Sequence, residues 1–246
     1  MLKLSKVLFI LIPVSFILIL ASLNLSSAIL RIAPEIAIDR WACYNKAENP
    51  YTVYNYAKQL KKAHLFAPLD SDVVLDLAKV SEWLLKVEPI GDQSIEQIRE
   101  QSIEYYRMLV GARPMWSTGW LGLAKSKLIN KQLDKEYNQA LMNAYEIGKA
   151  QTSIQRGAVR LGIISWLVTS DKVKALTKAR IIDLSNNDQE FYQLVNIALR
   201  YNWIDNLKDQ MVRDDRLAYI DALLSNKEKM KSHWVNAQQN RRKSCA

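Results

Sequence analysis

Apolar residues follow two patterns along this chain, one continuous and one periodic. The continuous pattern is Val7 to Leu30, a run of 24 residues without a charge, bounded by Lys6 and Arg31. A helix needs about 20 apolar residues to cross a bilayer, so the run predicts a transmembrane anchor within residues 1–30. The alternative is a signal peptide cleaved near the small residues 26–28. The run exceeds the roughly 7–15 apolar residues of a signal-peptide core, which favours a retained anchor.

Beyond residue 50, apolar residues recur every three or four positions, which is the period of an amphipathic helix. No segment alternates apolar and polar residues between turn signals, as a half-buried strand would. We therefore predict an all-α protein in which an N-terminal transmembrane helix precedes an array of antiparallel helix hairpins. The predicted helices cover about 52–64, 70–88, 94–111, 118–130, 134–148, 153–168, 171–184, 188–203 and 213–224.

These patterns divide the chain into four parts. They are the membrane segment 1–30, a linker 31–50, a helical-repeat domain 51–225 and a basic tail 226–246. The tail carries six Lys and Arg residues against the single acid Glu228. Such a tail is typical of a solvated chain end, and contact with an anionic lipid or polymer is the alternative.

The charge distribution bears on location and partners. The chain has a formal net charge of +9, and its short basic start before an apolar run is typical of exported bacterial proteins. Lys3 and Lys6 nearly balance the basic residues that follow the run, so orientation depends on that short start. We predict a single-pass protein of the bacterial inner membrane with a periplasmic domain. Anionic lipid headgroups and an anionic polysaccharide are then candidate partners of the basic domain, and nucleic acid is not expected.

Catalytic motifs are absent from the sequence. It contains no nucleophile elbow, phosphate-binding loop or zinc-protease motif, and His64 and His233 have no ligand-type neighbour at metal-binding spacing. We therefore expect no enzyme, no cofactor and no metal, while a carboxylate pair that converges only in the fold is the alternative. Cys43 and Cys245 are the only cysteines, and their pairing stays open because a disulfide requires close α-carbons.

A degenerate repeat occupies the middle of the chain. Its first helix carries Trp120, Leu123 and Ala124, and its second helix carries Tyr137, Leu141 and Ala144. This order of large aromatic, Leu and small residues resembles the tetratricopeptide signature. Lys127 stands where the first helix of that signature usually has an aromatic residue.

The segment from Ala112 to Trp166 resembles VpsP-like exopolysaccharide biosynthesis proteins. The likeness begins at Ala-Arg-Pro-Met-Trp-Ser-Thr-Gly-Trp-Leu-Gly-Leu-Ala-Lys, residues 112–125, and continues through 133–137, Gly148 and Trp166. The resemblance implies a non-catalytic accessory or scaffold protein, anchored in the inner membrane, that assists polysaccharide synthesis or export. It implies protein components of that complex as partners.

The same segment suggests a binding site. Pro114 suits a helix start, Trp116 and Trp120 have the i, i+4 spacing of one helix face, and Arg113 can stack over an indole. The alternative function is therefore a periplasmic carbohydrate-binding or carbohydrate-modifying protein using these residues. A packed helix junction is the competing interpretation, because aromatics at helical spacing usually belong to a core.

Overall fold

The computed structural model describes residues 2–87, residues 95–226 and His233, with side chains from Ile12 onward. All regular structure in this part of the chain is helical, which confirms the predicted all-α class. The helices are α1 (Leu2–Tyr44), α2 (Pro50–Phe66), α3 (Ser71–Leu84), α4 (Ile95–Ala112), α5 (Ser117–Ile129), α6 (Lys135–Ile147), α7 (Thr152–Ile164), α8 (Asp171–Ser185), α9 (Asp188–Arg200), α10 (Ile204–Lys208) and α11 (Asp214–Ser225). They belong to two compact units, Met1–Tyr105 and Tyr106–Ala246, and the boundary falls within α4.

The apolar segment lies in α1 and leaves most of its side chains exposed. Phe16 and Leu18 are 60% and 64% exposed, for example. Among the described residues, α1 is the one helix long and apolar enough to cross a membrane, with a mean hydropathy of 2.0 over its most apolar window. This is consistent with a single-pass membrane protein.

Helix α1 does not end where the apolar segment ends. It continues to Tyr44, so most of the predicted linker 31–50 is helical. Ala37, Ile38 and Trp41 lie on one face of this extension and are at most 1% exposed. The Trp41 ring contacts the rings of Tyr56 and Trp83, with centroids 5.9 and 5.8 Å apart. Burial of this apolar face keeps residues 31–44 helical, so the structure differs here from the prediction.

Helix α2 runs antiparallel to α1. The Ser27 hydroxyl donates to the Ala63 carbonyl at 2.9 Å, and the Gln59 amide donates to the Leu30 carbonyl at 2.9 Å. As the partner residue in α1 advances by three, the partner in α2 moves back by four. The C-terminal end of α2 therefore points back along the apolar segment of α1.

An ion pair joins α1 to α3 just beyond that segment. Arg31 Nε lies 2.6 Å from Asp76 Oδ2, and the Asp76 side chain is only 2% exposed. Burial raises the pKa of Asp76, although the Arg31 guanidinium opposes that rise. Glu35 accepts a second Arg31 hydrogen bond at 2.9 Å. Arg31 therefore has carboxylate partners within its own folded unit.

In the second unit, the boundaries predicted for α5, α6, α8 and α11 lie within one residue of the observed ones. Helix α7 ends at Ile164, before the predicted 168, with Ser165 as its C-cap. The helix predicted over 188–203 ends at Arg200, because Asn202 adopts φ 52° in the left-handed region, and the short helix α10 follows it. Pro89, Ser94 and nearly all of the tail lie outside the described residues.

Side chains on alternate helices of this unit meet at nearly constant sequence separation. Ser117 bonds Gln151 and Arg156 bonds Glu190, both 34 residues apart. Asn138 bonds the Ser170 amide and Tyr145 bonds Thr177, both 32 residues apart. Helices α5, α7 and α9 begin at intervals of 35 and 36 residues. Successive helix pairs therefore stack with a common register.

Candidate functional site

The first candidate site is the turn between α4 and α5. Helix α4 ends at Ala112 and α5 begins at Ser117, and the Trp116 amide closes the turn by donating to the Arg113 carbonyl at 3.0 Å. The Arg113 guanidinium lies 5.0 Å from the centre of the Trp116 ring, within range of a cation–π interaction. Met115 is 79% exposed at the tip. Arg113 and Trp116 therefore form a stacked pair beside an exposed methionine.

Trp120 has a different role in this turn. Its indole Nε1 donates to the Pro114 carbonyl at 2.6 Å, across six residues. An indole has a single donor, so the polar edge of Trp120 is already used. Trp120 fixes the turn, and only Trp116 of the two indoles is stacked with Arg113.

The predicted helical spacing of the two tryptophans is wrong. Trp116 is the N-cap of α5, with an extended backbone at φ −97° and ψ 100°, so it precedes the helix that contains Trp120. Pro114 likewise lies in the turn and not at the first helical position. Residues 113–116 form the α4–α5 turn, so neither a helix start at Pro114 nor an i, i+4 pair of Trp116 and Trp120 on one helix is present.

The residues of the repeat signature lie in the core of the second unit. Leu123, Ala124, Tyr137, Leu141 and Ala144 are all at most 1% exposed. They pack the two helices of the α5–α6 pair and are not available to a ligand.

Gly148 and Trp166 lie at helix ends. Gly148 is the C-cap of α6, and a Cβ there would overlap the Ile154 side chain, so the absence of a side chain permits the close approach of α7. Trp166 follows the C-cap of α7 and is half-buried, and its ring meets Trp203 edge to face at 5.3 Å. Leu167, next to it, is 92% exposed.

A charge cluster centred on the buried Lys127 lies between α4, α5 and α6, and the sequence did not predict it. The Lys127 side chain is fully buried, and its Nζ lies 2.9 Å from Asp134 Oδ2 and 2.6 Å from Glu136 Oε2. Glu136 also accepts two Arg107 hydrogen bonds, at 2.8 and 2.7 Å. Asp134 caps α6 by accepting from the Tyr137 amide. At the position where the repeat signature usually has an aromatic residue, Lys127 therefore forms ion pairs at the junction of three helices.

Electrostatics keep this cluster ionised. The Arg107 hydrogen bonds, followed by Lys127, lower the pKa of Glu136 to about 2. Burial opposes the ionisation of Asp134, but the Tyr137 amide and Lys127 outweigh it, and the pKa of that carboxyl is lowered. The signal in the sequence was a lysine at an apolar repeat position, followed seven and nine residues later by carboxylates. The charged groups of the cluster form ion pairs with one another, which is consistent with a structural role.

Groups suited to catalysis or metal binding are scattered in the described part of the chain. His64 is half-buried at the end of α2, and His233 Nδ1 lies 2.9 Å from the Tyr219 hydroxyl. Within residues 12–87, 95–226 and His233, no three His, Cys, Asp or Glu side chains are grouped so that they could hold a metal ion.

In comparisons with known proteins, no family model and no curated protein matches this chain.

Proposed function

We propose that the protein is a non-catalytic scaffold, anchored in the bacterial inner membrane, that gathers protein components of exopolysaccharide synthesis or export. The apolar part of α1 supports the anchor, since it exposes its side chains over a span long enough for a bilayer. The resemblance of residues 112–166 to VpsP-like proteins supports a role in exopolysaccharide synthesis or export. The basic start of the chain supports a periplasmic position for the folded part.

The observation that carries the scaffold proposal is the common register of the second unit. Hydrogen bonds between alternate helices at separations of 34 and 32 residues are close to the 34-residue tetratricopeptide period. Stacked helix pairs of this kind create extended surfaces that bind other proteins. The buried signature residues and the ion-paired Lys127 contribute to that stacking.

The test is recovery of partners from cells that make an exopolysaccharide. The full-length chain would carry an affinity tag at its C-terminus and be crosslinked in the cell, solubilised in detergent and purified. An unrelated single-pass protein with the same tag is the control. We expect polysaccharide synthesis or export proteins to be enriched with this chain over the control, and equal recovery in both would contradict the proposal. A C-terminal reporter that is active only outside the cytoplasm tests the orientation.

A second candidate is carbohydrate binding at the α4–α5 turn, which the stacking of Arg113 over Trp116 favours. An indole face can pack against a sugar ring while the guanidinium binds an acidic group. Titration of the full-length protein with acidic and neutral polysaccharides should give saturable binding that Arg113→Ala and Trp116→Ala abolish. Arg160→Ala is a matched control, because Arg160 also faces an aromatic ring, that of Tyr201, at 5.9 Å. Absence of binding by the unaltered protein would end this candidate.

A further inference from the structure

The charges of Lys6 and Arg31 on either side of the apolar segment limit where the hydrocarbon layer ends. The hydrocarbon layer is about 30 Å thick and a helix rises about 1.5 Å per residue, so about 20 residues cross it. Starting after the charge of Lys6, the crossing ends near Ser26. Arg31, paired with the buried Asp76, must lie outside the hydrocarbon. The boundary therefore falls between Ser26 and Arg31.

Helix α2 contacts α1 at this level. The Ser27 hydroxyl bonds the Ala63 carbonyl, and because α2 is antiparallel to α1, the residues after Ala63 extend toward the bilayer. Phe66, three residues further, lies about 4.5 Å deeper along a regular helix. The turn between α2 and α3 lies beyond it.

The end of α2 and the turn after it present apolar side chains at that depth. Leu65 is 77% exposed, Phe66 40% and Leu69 94%. Three large apolar side chains exposed together beside a helix that crosses the membrane would be unfavourable in water.

Charged groups around the turn are arranged as a membrane interface requires. Lys58 and Lys62 are exposed one to two turns before it, further from the hydrocarbon, where phosphate headgroups would lie. The nearest acids have partners in the protein. Asp70 caps α3 by accepting from the Asp72 amide at 2.9 Å, and the Asp72 carboxylate lies 3.9 Å from Arg31.

We propose that the end of α2 and the α2–α3 turn insert Leu65, Phe66 and Leu69 into the interfacial layer of the phospholipid bilayer beside α1. This second membrane contact rests on the membrane anchoring of the proposed function. The first unit would then be attached to the bilayer at two places, by a spanning helix and by an apolar loop.

Photocrosslinking in vesicles tests the contact. A benzophenone-bearing amino acid, p-benzoylphenylalanine, replaces Leu69 in the full-length protein, which is reconstituted into vesicles of phosphatidylcholine and phosphatidylglycerol. The same substitution at Tyr51 is the matched control, because Tyr51 is 64% exposed at the opposite end of α2. The same substitution at Phe16, inside the apolar segment, reports on the anchor itself.

After irradiation, adducts are identified by mass. We expect lipid adducts at positions 69 and 16 and none at position 51. Lipid adducts at position 16 alone would overturn the inference and leave the anchor intact, and their absence at both positions would overturn the anchor as well. A crosslinked dimer at position 69 in place of lipid would show that a second copy covers the turn, which also overturns the inference.

Discussion

The side-chain amide of Gln59 donates to the carbonyl of Leu30, the carbonyl that Pro34 leaves without its helical partner. In a regular helix the amide of residue 34 would donate to that carbonyl, but proline has no N–H. Helix α1 nevertheless continues through Pro34 to Tyr44. Gln59 of the neighbouring helix supplies the missing hydrogen bond, which ties α2 to α1 where the apolar segment ends.

Replacing Gln59 with alanine is expected to lower the free energy of unfolding by about 1 kcal/mol, because a partly buried carbonyl loses its donor. In a Pro34→Ala background the loss should be smaller, since the backbone then has an N–H at position 34 that can donate to the Leu30 carbonyl. Chemical unfolding of the detergent-solubilised protein, followed by circular dichroism, measures both values. An equal loss in both backgrounds would contradict the role of Gln59 as a replacement donor.

Alanine substitutions at Gly122 and Gly111 are expected to have different effects on stability. A Cβ at Gly122 would overlap the ring of Tyr106, so Gly122→Ala should destabilise the protein by about 1–3 kcal/mol through overpacking. A Cβ at Gly111 meets nothing within 4 Å, so Gly111→Ala should be neutral or stabilising by up to about 1 kcal/mol. Urea unfolding midpoints compare the two variants. Similar midpoints for both would be inconsistent with this packing of α4 against α5.

Lys127→Ala should lower stability by about 2–4 kcal/mol, since it leaves a cavity at a fully buried site and removes the cation between two carboxylates. Lys127→Met keeps most of the side-chain volume and should cost less, which separates packing from charge. Lys135→Ala, at an exposed position of α6, is the control and should change stability by no more than about 0.5 kcal/mol. If the Met and Ala variants were equally unstable, charge would dominate at this site.

The low pKa of Glu136 predicts that the protein loses stability in acid. Its pKa in the folded protein is about 2, below the ordinary value of 4.5, so the unfolded state binds the proton more readily. The stabilisation is complete above about pH 4.5 and is lost as the pH falls toward about 2. We expect the stability difference between the unaltered protein and Glu136→Gln to be largest at neutral pH and to shrink by about pH 3.

The pH dependence of the stability contribution of Asp76 has the opposite sign, because its raised pKa makes the folded state bind protons more readily than the unfolded state. Asp76 is present in both proteins of this comparison, so its contribution cancels in the difference. Urea titrations at each pH provide the measurement. A difference that stays constant down to about pH 3 would contradict the low pKa of Glu136.

Helix periodicity made most of the fold predictable, because apolar faces such as Phe191, Leu194, Val195 and Ala198 alternate with polar ones at helical spacing, and all four are buried. The helical extension of α1 was not predictable in the same way. Residues 31–44 mix charged and apolar residues, and their helix depends on packing Trp41 against Tyr56 and Trp83, which lie on other helices. The sequence of residues 31–44 alone does not indicate these partners, which are distant along the chain.

The candidate sites show the same limit. The stacking of Arg113 on Trp116 follows from their proximity in sequence, whereas the N-cap position of Trp116 depends on where α5 begins. Lys127 appeared as a departure from a repeat signature. Its burial is explained by the packing of three helices, which places Glu136 next to Lys127 and Arg107 next to Glu136.

The unbroken passage of α1 from its apolar segment into the core of the first unit has a mechanical consequence. A tilt or rotation of that helix within the lipid is transmitted to Trp41 and the residues packed around it, because no flexible joint separates them. A membrane protein that bound the apolar segment could therefore turn the first unit outside the bilayer without touching it. Inserting a few glycines after Arg31 would interrupt this continuous helix and leave the coupling to side contacts such as those of Ser27, Leu30 and Arg31 with α2 and α3.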